Sequence, residues 1–253
     1  MKAPINYKNI CLIFFTSFTL TVNCIYSDNI YDIVIGNGKI VDGSGNPWYE
    51  ADIGIKGDRI VHIGDLKSYD ATKFIDAEGF IVSPGFIDPH THAIRGVFDV
   101  PNVESSLLQG VTTLTEGNDG TSPFPIDKHF QKIMDKKISP NWGVFVGHGT
   151  IRTKVVGAED REPTPDELDQ MRNLVRQAME QGALGLSTGL YYVPGSFAST
   201  EEVIELSKVA SEYGGIYISH MREEASKIID SVKETILIGE KGEIPVQITH
   251  HKV

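Results

Sequence analysis

The chain has 253 residues, 40% hydrophobic and 23% charged, the balance of an ordinary folded protein. That composition excludes disordered, collagen-like and polytopic membrane chains, and the length suits one large domain or two small ones. With 23 Lys plus Arg against 34 Asp plus Glu, the formal net charge of -11 repels nucleic-acid phosphates and anionic lipid, so no nucleic-acid role is expected.

Residues 1–27 carry Lys2 and Lys8, no acid, and an apolar stretch from Ile10 to Val22 interrupted only by Thr and Ser. This is the pattern of a secretory signal peptide. The stretch falls short of the ~20 residues a helix needs to cross a bilayer, so export to the periplasm or medium is expected, with no stable membrane span in the mature chain. Cleavage fits after Ser27 or Cys24; a lipid anchor on Cys24 is the weaker reading, because Asn23 stands where a small residue is needed. Both cysteines, Cys11 and Cys24, lie in this segment, so a chain cut after Ser27 has neither disulfide nor thiolate ligand.

Over residues 28–80 short alternating runs such as Tyr31-Asp-Ile-Val-Ile and Arg59-Ile-Val-His-Ile predict a small antiparallel sheet, with Asn37-Gly38 and Gly57-Asp58 as hairpin turns. Over residues 81–253 apolar strands alternate with amphipathic helices. Strands are expected at Ile81 to Val82, Val111 to Thr115, Trp142 to Val146, Leu184 to Ser187, Ile216 to Ser219 and Val246 to Thr249. Thr164, Pro165 and Glu167 form a capping box, Ser199 and Glu202 repeat it, and a third helix runs from about Ala225 to Lys241; Gly182, Gly214 and Gly242 stop the three. The fold class is therefore α/β, either a β/α barrel or an open doubly wound sheet. Six strands are legible where a barrel needs eight, which reads as a fragment of a longer protein.

The chemistry gathers at strand ends. In the extended segment Phe86-Ile-Asp-Pro-His-Thr-His, alternate residues share a side, so His90 and His92 can chelate one metal ion. Exposed loop histidines are the bland alternative. His220 and His250 close two later strands, where barrel enzymes place functional groups. Four histidines at three strand ends favour a metal site over chance packing.

Taken in order, Pro84-Gly-Phe-Ile-Asp-Pro-His-Thr-His, Gly110-Val-Thr-Thr, Val146-Gly-His-Gly, Gly182-Ala-Leu-Gly-Leu-Ser-Thr-Gly-Leu-Tyr-Tyr, Ile218-Ser-His-Met-Arg and Ile248-Thr-His-His-Lys resemble the N-acyl-D-amino-acid deacylase (D-aminoacylase) branch of the amidohydrolase superfamily. The likeness runs from about Tyr31 to Val253. It implies a metal-dependent (β/α)8 TIM-like barrel, here with about six of eight strands, and the N-terminal part of a small β-sandwich. It also implies one or two zinc ions, with His220 and His250 holding the tight site and His90 with His92 the weaker one.

Where that branch carries a metal-bridging cysteine this chain has Asp119, whose carboxylate is an ordinary zinc ligand. Glu116 is the alternative donor, and Asp119 could instead serve the turn Asn118-Asp-Gly. Strand four has no lysine to carbamylate, which argues against a hydantoinase or dihydroorotase type of site. The implied reaction is hydrolysis of an N-acyl-D-amino acid, a small-molecule substrate, by metal-activated water. Its general base, an aspartate after strand eight, is expected beyond Val253, so the 253 residues alone should be inactive.

Lys252 is a partner for a substrate carboxylate or else an exposed lysine. Tyr191 and Tyr192 could line the pocket, and His148 is a pocket residue or a donor behind a ligand. His62 and His129 read as surface residues, and His251 points away. Alternatives are cleavage of a D-residue dipeptide or another linear amide on the same site, or a non-catalytic truncated remnant.

Overall fold

β-branched and aromatic residues at every second position build the first strands, and they fall into two small sheets. The computed structural model describes residues 31–66 and 70–251; the signal-peptide segment with Cys24, and Lys252, lie outside the described residues. The chain divides into two compact units, the boundary falling between Pro84 and Gly85. In the first unit the strands are β1 (Tyr31–Gly36), β2 (Lys39–Ile40), β3 (Tyr49–Glu50), β4 (Asp52–Lys56), β5 (Arg59–Gly64), β6 (Ala71–Asp76) and β7 (Ile81–Val82). They form sheets of order β5-β4-β1-β6 and β3-β2-β7. Tyr31, Val34 and Leu66 make the buried core of this unit.

Three expectations change here. The sheets are mixed rather than antiparallel, because β1 pairs parallel with β6 and β2 with β7. Gly57-Asp58 does turn the β4–β5 hairpin, but Asn37-Gly38 passes the chain from one sheet to the other. Asn37 takes a left-handed φ of 64° and donates its N–H to the Asp52 carboxylate, which also accepts from Leu66 N. Ile81–Val82 belongs to the small sheet beside β2, so the parallel series begins at Phe86 instead.

The second unit contains β8 (Phe86–Asp88), β9 (Val111–Glu116), β10 (Asn141–Val144), β11 (Val146–Gly147), β12 (Gly185–Gly189), β13 (Ile216–His220) and β14 (Val246–Ile248), all paired in parallel. The described strands make two open sheets, β10-β9-β8 and β11-β12-β13-β14, rather than a closed barrel. They are joined through one expected strand that breaks at Phe145. The Phe145 N–H bonds to Glu116 O at 2.8 Å, while Val144 O accepts from Leu184 N at 2.8 Å. Parallel strands alternating with helices in this way follow the β/α order of a barrel fold.

Helices Pro165–Glu180 and Thr200–Glu212 follow the expected apolar periodicity, whereas helix Ile228–Gly242 turns Ser231, Thr235 and Ile238 inward and leaves the expected Ile229 and Ile236 exposed. Met171, Val175, Val203, Leu206 and Ile238 join Val144, Val146, Leu186 and Tyr217 in one core. Each such side chain favours folding by about 1.5–3 kcal/mol. Thr164 and Glu167 form the complete reciprocal cap. Ser199 caps Glu202 N, but the Glu202 side chain goes to a buried ion pair instead. The third helix begins later than expected, and its left-handed stop falls on Glu243, one residue past Gly242. No helix among the described residues is long and apolar enough to cross a membrane.

Candidate metal centre

Asp119 stands at the centre of the site. Beyond β9 the chain turns through Gly117 (φ 81°), Asp119 (φ 55°) and Gly120 (φ 75°), which brings Asp119 across the C-terminal ends of the parallel strands. This path needs close backbone approach: a Cβ on Gly117 would lie 2.1 Å from Phe145 O, and one on Gly189 would lie 2.2 Å from Asp119 O. Glycine is therefore required at both places.

Four imidazoles converge on this carboxylate and divide between its oxygens. His90 Nε2 and His92 Nε2 face Oδ2 at 3.5 and 3.2 Å. His220 Nδ1 and His250 Nε2 face Oδ1 at 3.5 and 3.7 Å. The rings also touch one another, with His90 5.0 Å and His220 4.7 Å from His250 between centroids. The alternation expected of Phe86-Ile-Asp-Pro-His-Thr-His holds: His90 and His92 point to Asp119, and Thr91 points the other way into β9. Thr91 N and Oγ1 both donate to Thr115 O, and Thr91 O accepts from Asn118 Nδ2.

Glu116 is not part of the donor set. Its buried carboxylate accepts from Thr91 Oγ1 at 2.5 Å and from Ile94 N at 3.1 Å, so it braces the loop that carries the histidines. Burial pushes its carboxyl above the ordinary value, against the pull of those hydrogen bonds. Asp119 shifts the opposite way. Burial alone would raise it, but the facing His220 and His90 imidazoles hold it below the usual carboxylate range.

The residues fit a metal. His220 Nδ1 and Asp119 Oδ1, which face each other, are buried without a hydrogen-bond partner, a cost of about 1–3 kcal/mol each that coordination would offset. Imidazole nitrogen with carboxylate oxygen is a donor set suited to zinc and its first-row neighbours. The atoms of His90, Asp119 and His250 lie within 4.8 Å of one another, as do those of His220, Glu224 and His250.

Tyr192 packs against His220 with the rings tilted, 4.7 Å between centroids, and borders both hollows beside Asp119. Tyr191 is farther, at 6.0 Å. One hollow also has Thr150 and Lys154 in its wall, the other Arg95. These two cations carry no motif and were invisible to sequence reasoning.

His148 is corrected as a pocket residue: its side chain has no exposed surface and its Nε2 lies 2.7 Å from Glu202 Oε1, so no substrate reaches it. His129 is corrected as a surface residue. It is buried, accepts from Trp142 Nε1 at 3.0 Å, and its pKa is lowered by burial and by Lys132. His62 is exposed, as expected, and His251 is exposed as well.

The amidohydrolase family matches residues 73–238. A D-aminoacylase from Alcaligenes xylosoxydans xylosoxydans is 38% identical over 246 residues, 88% of this chain and 51% of that protein. This chain spans about half the length of the curated relatives it matches. Among solved structures, a D-aminoacylase described by its binuclear metal centre superposes with a TM-score of 0.79 at 36% identity, covering 87% of this chain and 52% of that one. The N-acyl-D-glutamate deacylase of Bordetella bronchiseptica, solved with zinc and a phosphonate mimic of the tetrahedral intermediate, gives 0.81 at 32%, covering 87% and 51%.

Proposed function

Since the chain belongs to the amidohydrolase family, we propose that it is the metal-binding part of an N-acyl-D-amino-acid deacylase. The reaction is hydrolysis of a linear amide: water adds its oxygen to the acyl carbon, the C–N bond breaks, and the protons go to the departing amine. The products are a D-amino acid and a carboxylate. The observation that carries this reading is the pairwise division of four imidazoles over the two oxygens of one aspartate.

His220 and His250 would hold one zinc ion with Asp119 Oδ1, and His90 and His92 a second with Oδ2. Zinc held there supplies a water acidified toward neutrality and polarises the amide carbonyl. Asp119 would offer one carboxylate oxygen to each pair of histidines. Tyr192 supplies an aromatic wall, and Lys252 the cation for the substrate carboxylate. Glu116 and Thr91 keep His90 and His92 on one side. The D-configuration of the substrate rests on the likeness to D-aminoacylase and the N-acyl-D-amino-acid deacylases. Export rests on residues 1–27 and is tested by sequencing the N-terminus of the protein recovered outside the cytoplasm.

The test is to express the complete reading frame, load the protein with zinc, and offer N-acetyl-D-amino acids, their L-enantiomers and D-residue dipeptides. Release of D-amino acid from the acetyl substrates, with little from the L forms, is the expected result. Cleavage of the dipeptides alone would move the activity to a D-residue dipeptidase. No turnover by a zinc-loaded preparation would overturn the proposal.

A further inference from the structure

His220 offers its two ring nitrogens to two different carboxylates. Nδ1, buried and without a hydrogen bond, faces Asp119 Oδ1 at 3.5 Å; Nε2 faces Glu224 Oε1, also at 3.5 Å. The ring is 3% exposed and Glu224 15%, so neither contact is diluted by bulk water. A neutral imidazole carries its proton on one nitrogen and its lone pair on the other, and the partner of the first decides which. From this geometry we infer that Glu224 is the positioning residue of the metal centre: by accepting the Nε2 proton of His220 it presents the Nδ1 lone pair to the ion beside Asp119. The inference rests on the metal-centre reading above and adds a role for a residue outside the four histidines and Asp119.

The loop that carries Glu224 is built for this. It leaves β13 without forming a helix, so the spacing of four from His220 to Glu224 is not helical spacing. The residues before Glu224 are committed elsewhere. Arg222 donates to both Glu234 carboxylate oxygens and to the carbonyls of Ser196 and Ala198. Glu223 donates its N–H to Ser231 Oγ and accepts from Ala225 N and Lys227 N. With the flanks anchored, the Glu224 carboxylate is held against His220.

Glu224 also lies near enough to His220 and His250 to be a ligand itself. Ligation by Glu224 would require Nε2 of His220 to bind the ion and would leave Nδ1 facing the Asp119 anion without a metal. The convergence of His90, His92 and His250 on Asp119 places the ion on the Nδ1 side instead.

The experiment compares wild type, Glu224→Gln and Glu224→Ala, each expressed from the complete reading frame. Zinc number and affinity are measured by chelator competition, and the Co(II)-substituted proteins by visible absorption. Glutamine keeps an oxygen that accepts from Nε2, whereas alanine does not. Removing such a carboxylate-to-histidine contact weakens metal binding by about 10–100-fold. Expected is that loss for Glu224→Ala at the His220 site, substantial rescue in Glu224→Gln, and the same Co(II) spectrum in wild type and Glu224→Gln. Zinc affinity unchanged in Glu224→Ala overturns the inference alone. A Glu224→Gln variant as weak as Glu224→Ala, with a shifted Co(II) spectrum, also overturns it and makes Glu224 a ligand. Wild-type protein that binds no zinc removes both this inference and the metal-centre reading.

Discussion

Thr91 Oγ1 lies 2.5 Å from Glu116 Oε1, so the residue between two candidate metal ligands is tied to a buried carboxylate on the neighbouring strand. Thr91→Val keeps the β-branched shape and deletes this hydrogen bond. It should cost about 1–3 kcal/mol by leaving a buried carboxylate oxygen short of a donor. It should also weaken the His90/His92 site by about 10-fold while sparing the His220/His250 site. Chelator competition resolves the two sites. Equal weakening at both, or none at either, would show that the brace does not position His90 and His92.

Asp119 sets metal preference through the hardness of its oxygen. Replacing it with the softer thiolate, Asp119→Cys, should raise affinity for Cd(II) relative to Mn(II) by about 10-fold or more and make metal binding sensitive to thiol-modifying reagents. Residues 28–253 contain no cysteine, so a sensitivity gained over wild type reports on the introduced thiolate. The ratio of Cd(II) to Mn(II) dissociation constants in the two proteins decides the point. An unchanged ratio would mean that Asp119 does not contact the ion.

The parts of this molecule visible in its sequence are those fixed by local periodicity. Alternation put His90 and His92 on one side, strand ends located His220 and His250, and the Thr164 box capped its helix as written. What escaped depends on partners far along the chain. The dipeptide Ile81–Val82 reads as a strand, but nothing local says that it pairs with Lys39–Ile40. His129 sits on an outer helix by pattern, yet Phe98 and Trp142 cover it. Glu202 occupies the third position of a helix, where a reciprocal cap is the local expectation. Two buried bases some 50 residues upstream claim its carboxylate instead. Glu224 has no local signature because its loop is irregular.

The Glu202 cluster should be among the most sensitive places in the fold. His148, Arg152 and Glu202 have no exposed side-chain surface, and Glu202 pairs with both bases. Burial alone would raise the Glu202 carboxyl, but His148 and Arg152 hold it below its ordinary value. Glu202→Gln keeps the size and removes the charge, leaving the guanidinium of Arg152 buried and uncompensated. Breaking a buried pair from one side costs about 3–5 kcal/mol. Urea unfolding of the variant against wild type measures it, and a loss well under 1 kcal/mol would show that the cluster relaxes or takes in water.

A second carboxylate makes a different prediction, about pH. Glu167 accepts both arms of the Arg161 guanidinium, at 2.7 and 2.8 Å, and the backbone N–H of Thr164 at 2.8 Å, while its own N–H bonds to Thr164 Oγ1. The Arg161 hydrogen bonds and the Thr164 N–H push its carboxyl down to about 2 from an ordinary 4.5. A depressed carboxyl means that the folded state prefers the anion more than the unfolded state does. Its stabilisation is therefore fully present above 4.5 and is lost as pH falls through about 2. Glu167→Gln should lower stability at neutral pH and converge on wild type near the bottom of that window. Salt should shrink the Arg161 contribution, because the pair is solvent-exposed, and leave the contribution of the Thr164 cap. Unfolding curves of both proteins across the window, with NMR titration of the Glu167 side chain, provide the check. A difference that persists unchanged to the lowest pH would mean that the charge of Glu167 is not the source of it, because glutamine keeps the acceptor for Thr164 N.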